Sequence, residues 1–175
     1  MDILYKNSKT VDLLWRIKNG EMPLELNPKI WWILIGTNDI GRDRNCSEEL
    51  TVQGILKIVQ EIQNRKGSNA TIVVNSILPR STGSEKGLLS RHWNMIQRMN
   101  IELYTIFNKI ENIYFFNASN LFINISNDNG KYFIPKKLMP DFLHPSKEGY
   151  IVWSEEIVKW IGENNLINNL QAVSR

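Results

Sequence analysis

The 175-residue sequence holds one cysteine, Cys46, and two histidines, His92 and His144. A single cysteine excludes an internal disulfide and any cysteine-based metal cluster. With no second histidine at a ligand-like spacing, no metal site is expected, and no residue pattern calls for a cofactor. Long apolar runs are missing too. The longest is Ile30 to Ile35 (IWWILI), strand-sized and far short of the ~20 residues a membrane helix needs. Basic blocks are equally absent: the net charge of +3 comes from lysines and arginines scattered among acids, so no nucleic-acid partner is expected. The opening MDILYKNSKT has no basic stretch leading into an apolar one. No signal peptide is read from it, and a cytoplasmic location is favoured.

What is present is ordinary for a globular chain: 42% hydrophobic and 22% charged residues, enough for one domain with a real core. Apolar runs alternate with helical periods, the pattern of βαβ units and a parallel sheet. Asp2 to Tyr5 reads as a short strand. Thr10 to Asn19 reads as a helix, with Val11, Leu14, Trp15 and Lys18 at helical spacing and Gly20 as its stop. Ile30 to Ile35 is apolar on both faces, as a central parallel strand is. Ser47 is the expected N-cap of a helix whose stripe is Val52, Ile55, Ile58, Val59 and Ile62. A strand over Ala70 to Leu78 leads to a polar loop from Pro79 to Gly87. A long helix follows from about Leu88 to Ile110, its apolar face set by Trp93, Ile96, Ile101, Tyr104 and Phe107 or close neighbours. Asn112 to Phe116 makes another strand, and Asn117 to Met139 a long Asn-rich connection. The last helix covers about Lys147 to Gly162. Residues 1–162 are expected to form a single α/β domain, and residues 163–175 a polar, frayed tail.

In an open α/β sheet, ligands bind beyond the carboxyl ends of the strands. Gly36-Thr37-Asn38-Asp39 stands just past the most apolar strand. Glycine there lets the backbone turn tightly, and the Asn38 amide can donate to a developing oxyanion. The same residues also make an ordinary strand-end turn. Asp141 and His144 form D-x-x-H, and Pro145 keeps His144 out of the right-handed helical region, on a loop. Such a pair is either a solvated acid beside an ordinary histidine or an acid that orients a catalytic imidazole. His92 reads as a polar-face histidine beside Trp93. Arg16 and Arg80 are the basic residues nearest the expected site edge, each also readable as a surface or ion-pair residue.

Taken in order, LLWRIKNGEMP, PKIWWILIGTNDI, SILPR and MPDFLHPSKEGY give the chain a resemblance to the SGNH (GDSL-like) hydrolases. Within them it resembles the platelet-activating-factor acetylhydrolase catalytic-subunit type. Leu14 to Glu21 is similar to that subgroup's L-W-R-x-x-N-G-E helix. Gly36 to Asp39 is similar to its G-x-N-D block, Leu78-Pro79-Arg80 to its L-P-R, and Asp141 to His144 to its terminal D-x-x-H. The resemblance spans roughly residues 7 to 162. It implies a three-layer α/β/α fold with a parallel, flavodoxin-like sheet, and ester hydrolysis through a serine nucleophile. It implies His144 as the base and Asp141 as its orienting acid. Asn38 and Gly36 become the oxyanion side of the site, with Asn7, Thr37 and Arg80 at its edge. The substrate implied is a small lipid or sugar ester carrying an acyl, often acetyl, group. The subgroup's dimers imply a homodimer.

The family's first block, G-D-S, which carries the nucleophile after the first strand, is not found in this sequence. Ser8 stands too close to Gly36 for that block and reads as a cap or turn residue; Ser76 and Ser81 are no better placed. Residues 1–162 are therefore expected to be a partial SGNH-type esterase domain, truncated and inactive as given, with its sheet short of the first strand. The alternative is a catalytically dead pseudoenzyme that serves as a binding or dimerisation module. A generic flavodoxin-like domain unrelated to esterases is the third reading.

Overall fold

A computed structural model describes residues 8–42, 47–81, 87–89, 91–127 and 130–166. The expected strand at Asp2 to Tyr5, the site-edge residue Asn7 and Cys46 lie outside them. The chain packs as two compact units. The first joins residues up to Leu78 with Arg91–Asn117; the second joins Pro79–Ser90 with the residues from Ala118 onward.

The first unit is built on three parallel strands, β1 (Trp31–Ile33), β2 (Ile72–Asn75) and β3 (Ile113–Phe116), in the order β1-β2-β3. Trp31 pairs with Ile72 and Ile72 with Ile113, and the register continues residue for residue. Every residue of β2 is buried, as the middle strand of a parallel sheet requires. The sequence suggested that central role for Ile30–Ile35. Among the described residues β1 instead lies at one end of the sheet: Trp31 and Trp32 are half-buried and Leu34 is exposed. Apolar character on both faces fixed the strand but not its place, because Trp32 spends its surface on Phe116 two strands away, ring centroids 5.2 Å apart.

Helix α1 (Thr10–Arg16) is shorter than expected and runs on into a π-helical turn, Ile17–Glu21, that ends near Gly20. Helix α2 (Thr37–Arg42) follows β1 directly. Helix α3 (Glu48–Lys66) starts where expected: the Ser47 hydroxyl accepts from the Leu50 amide at 3.2 Å, and Glu48 and Glu49 occupy the first turn. Its whole expected stripe, Val52, Ile55, Ile58, Val59 and Ile62, is buried. Helix α1 lies against α3, and a Cβ on Gly54 would collide with Thr10.

Helix α4 (Arg91–Phe107) keeps Trp93, Ile96 and Phe107 of its expected face, while Ile101 and Tyr104 are exposed. The buried positions between are Met99, Asn100 and Leu103. Asn100 wins a core place because its amide completes the backbone just past β2. It accepts from the Ile77 N–H at 2.8 Å and donates to the Ile77 carbonyl at 3.0 Å, satisfying two buried groups that would otherwise go unpaired.

In the second unit, the connection after Asn117 is not structureless. It holds a 3₁₀ turn, Ser119–Phe122, and a hairpin of β4 (Asn124–Ile125) and β5 (Tyr132–Phe133). Leu88 bridges to Phe133 on the hairpin's other side. Helix α5 (Lys147–Glu163) begins at the Ser146 cap, whose hydroxyl accepts from the Gly149 amide at 3.0 Å. The tail expected from residue 163 is still ordered there: Glu163 belongs to the helix and Leu166 is buried. Phe122 and Trp153 meet edge to face at 6.1 Å, and Trp153 stacks on Tyr150.

The Gly54–Thr10 contact gives a direct stability test. Gly54→Ala places a methyl inside an occupied space, so urea unfolding should show a loss of about 1–3 kcal/mol despite alanine's better helix propensity.

Candidate active site

On the first unit, the residues expected to serve the oxyanion sit where β1 hands over to α2. Gly36 has φ +114, a left-handed region that costs other residues strain. A Cβ there would also stand 3.0 Å from Ile77 Cδ1 and 3.3 Å from Thr51 Cγ2. Both constraints demand glycine, so the turn carries Thr37 and Asn38 out of the strand in one fixed direction. Thr37 and Asn38 are half-buried. The Asn38 amide Nδ2 donates to the Ser8 carbonyl at 3.1 Å. A primary amide nitrogen has two hydrogens, so this bond aims the side chain and uses one of them.

Asp39, the last residue of the block, does something the sequence did not indicate. Its carboxylate is 2% exposed. It accepts the Thr10 hydroxyl at 2.6 Å and the Thr10 amide at 3.1 and 3.2 Å. Burial pushes its carboxyl above the ordinary aspartate value, while the Thr10 hydroxyl and amide, its own backbone N–H and nearby Lys9 pull the other way. Asp39 thereby holds the first residue of α1, where a helix favours a negative charge.

The L-W-R-x-x-N-G-E motif closes the same corner. Arg16 Nε pairs with the Glu21 carboxylate, and Arg16 Nη1 donates to Ser8 Oγ at 2.8 Å. Arg16 is thus an ion-pair residue that also grips Ser8. Asn19 Nδ2 donates to the Trp15 carbonyl at 2.7 Å as the helix loosens, and Trp15 itself is exposed. Ser8 is held from two sides, by Arg16 on its hydroxyl and by Asn38 on its carbonyl. Serine and threonine at a helix start are readable as cap residues; their partners, 8 to 30 residues away, are not.

On the second unit, PDFLHPS forms a tight loop. His144 Nδ1 lies 2.6 Å from Asp141 Oδ2. The other carboxylate oxygen accepts the His144 amide at 2.8 Å and the Leu143 amide at 3.0 Å. Of the effects on the Asp141 carboxyl, desolvation is the largest single one and raises it. The hydrogen bonds from the His144 ring, the His144 and Leu143 amides and the His144 charge together outweigh it and hold the carboxyl below its ordinary value. The pair is open to solvent, with side-chain exposures of 72% for His144 and 55% for Asp141. An imidazole whose Nδ1–H is given to a carboxylate presents Nε2 as its proton acceptor. Arg80 is half-buried at the start of this unit, and the neighbouring Ser81 is buried. His92, outside both clusters, is half-buried on α4. Among the described residues, no group of three or more His, Cys, Asp or Glu side chains could hold a metal ion, and no helix is long and apolar enough to cross a membrane.

The architecture finds its counterparts among hydrolases. A GDSL-like lipase from Bacteroides thetaiotaomicron superposes with a TM-score of 0.70 at 20% identity, over 91% of this chain and 73% of that one. A carbohydrate esterase family 3 structure from Talaromyces cellulolyticus gives 0.60 at 15% identity, over 96% and 70%. These likenesses establish the three-layer α/β/α fold of the SGNH hydrolases. Residues 6–152 match the GDSL-like Lipase/Acylhydrolase family, and the chain belongs to that family. Among curated relatives, the Drosophila melanogaster platelet-activating factor acetylhydrolase IB subunit beta homolog is 42% identical over 77 residues, 44% of this chain and 32% of that protein. The human platelet-activating factor acetylhydrolase IB subunit alpha2 is 41% identical over 71 residues, 41% of this chain and 28% of that protein. The matches span about a third of these relatives' length.

Two measurements follow from the carboxylates. Thr10→Val removes the hydroxyl from the buried Asp39 carboxyl; urea unfolding should show about 1–3 kcal/mol more stability lost than in an exposed Thr→Val control. The two acids should also give opposite pH profiles when stability is compared with Asp39→Asn and Asp141→Asn. The raised Asp39 contributes fully below the ordinary aspartate value and loses that contribution as pH rises through its folded value. The lowered Asp141 contributes above the ordinary value and loses its share as pH falls through its folded value. Denaturation followed on both sides of the ordinary aspartate value reads the two profiles.

Proposed function

We propose that this chain is the acid–base and oxyanion portion of a carboxylic-ester hydrolase acting on small acyl, and in particular acetyl, esters of lipids or sugars. The observation that carries the reading is the 2.6 Å contact between His144 Nδ1 and Asp141 Oδ2 on a loop fixed by two further bonds to the same carboxylate. It is the arrangement a general base needs: an acid that selects the tautomer and stabilises the imidazolium. His144 Nε2 would take the proton from a serine hydroxyl as it attacks the ester carbonyl and return it to the leaving alcohol. Asn38 would donate its remaining amide hydrogen to the oxyanion, beside Gly36. Thr37, Arg80 and Asn7 would line the edge.

The G-D-S block that bears the serine in this family is absent from the 175 residues. Covalent catalysis by the family route is then unavailable, and the chain by itself is inactive or nearly so. A role as a dimerisation or binding module is the companion reading, favoured by that same absence, and a cytoplasmic location belongs with either.

The chain alone should hydrolyse p-nitrophenyl acetate no faster than His144→Ala does. Joined to an in-frame upstream segment carrying G-D-S, it should gain an esterase activity that His144→Ala lowers by a factor of at least about 10³. Enzyme-like turnover by the 175-residue chain, lost in His144→Ala, would sink the claim of inactivity. A restored chain with no activity would favour the binding module.

A further inference from the structure

Phe142 stands between the two dyad residues and has a φ of +59. For a residue with a bulky side chain this left-handed conformation is strained and persists only where the surroundings enforce it. Three contacts do so. The Phe142 amide donates to the Met139 carbonyl at 3.0 Å, and the Phe142 carbonyl accepts the Ser81 amide at 3.0 Å. The ring is buried, 7% exposed. It lies over Gly87, where an added Cβ would stand 2.6 Å from Phe142 Cε1 and 2.9 Å from Cδ1.

The support continues behind those contacts. Ser81 Oγ donates to the Leu88 carbonyl at 2.8 Å. The Gly87 carbonyl accepts the Ile134 amide at 2.9 Å, and the Leu89 amide donates to the Tyr132 carbonyl at 3.1 Å. The strand-like stretch 87–89 is thus fastened to the β4–β5 hairpin on one side and to Ser81 on the other. The left-handed turn at Phe142 reverses the chain just after Asp141. That reversal is what lets the Leu143 and His144 amides point back at Asp141 Oδ1 and brings the imidazole to Oδ2. Without it, the carboxylate and the ring sit on a chain free to extend.

We infer that Phe142, clamped by Ser81 and Gly87, is a positioning residue for the Asp141–His144 pair: it sets which imidazole nitrogen carries the proton. It touches no reacting atom. The inference rests on the hydrolase reading for its purpose, but the geometry it claims is measurable without turnover.

The experiment is long-range 1H–15N NMR of the 175-residue chain, with His92→Gln used to assign the two histidines. In the wild type, neutral His144 should carry its proton on Nδ1. In Phe142→Ala it should shift to the Nε2–H form that unrestrained histidine favours, and the Asp141 carboxylate midpoint, read by 13C, should move up. Phe142→Leu, which refills the buried site, should restore both readings. Gly87→Ala, which drives the ring out from the other side, should repeat the loss and serves if Phe142→Ala fails to fold. Ile96→Ala, a core change in the first unit, should lower stability and leave the tautomer alone. Retention of the Nδ1–H form in folded Phe142→Ala or in Gly87→Ala would overturn the inference. So would loss of that form in Ile96→Ala. Failure of the chain joined to a G-D-S segment to hydrolyse p-nitrophenyl acetate, while the tautomer shifts as stated, would count against the hydrolase reading alone.

Discussion

A buried carboxylate organises the first unit. Asp39 is taken almost wholly out of water, a cost that has to be met by donors close at hand. Thr10 supplies two, its hydroxyl and its amide. Because Asp39 stands in the first turn of α2, just past β1, and Thr10 in the first turn of α1, meeting that cost joins two helix starts. The remaining contacts of the corner depend on this join. Asn38 can reach the Ser8 carbonyl, and Arg16 the Ser8 hydroxyl, only while the residues before α1 are held there. The absence of a side chain on Gly54 lets α1 settle against α3 at the same level.

The two carboxylates of the motif blocks solve opposite problems. Asp39 is buried, and that burial raises its proton affinity. Asp141 is exposed and accepts three donors from its own loop, its proton affinity lowered. The first serves architecture and the second keeps a charge where an imidazolium would need it. The sequence blocks marked Asp141 as a site residue and gave Asp39 no role beyond its place in the G-x-N-D block.

The elements that were legible were those set by local rules. The Ser47 cap and the α3 stripe follow from hydrogen bonding over three residues and from the helical period, and both hold in full. The three strands of the parallel sheet were legible as apolar runs; their order among the described residues, with β2 in the middle, was not. On α4 the buried positions are the close neighbours Asn100 and Leu103 rather than Ile101 and Tyr104, and Asn100 goes inside to finish the backbone beyond β2. The Asp–His contact was legible from D-x-x-H and the following proline. The means of holding it was not, because no propensity places a phenylalanine at positive φ.

Among the described residues, the dyad loop is fastened within its own unit by three donors to Asp141, the Phe142 clamp, and Ser146, which caps α5 while its hydroxyl donates to the Lys137 carbonyl at 2.6 Å. None of these bonds is made to a nucleophile or a substrate. The same bonds hold the acid and the imidazole in their mutual aim whether or not a nucleophile is within reach. In such a fold an intact Asp–His pair does not by itself mark a working enzyme; the chemistry at the other end of the imidazole decides that.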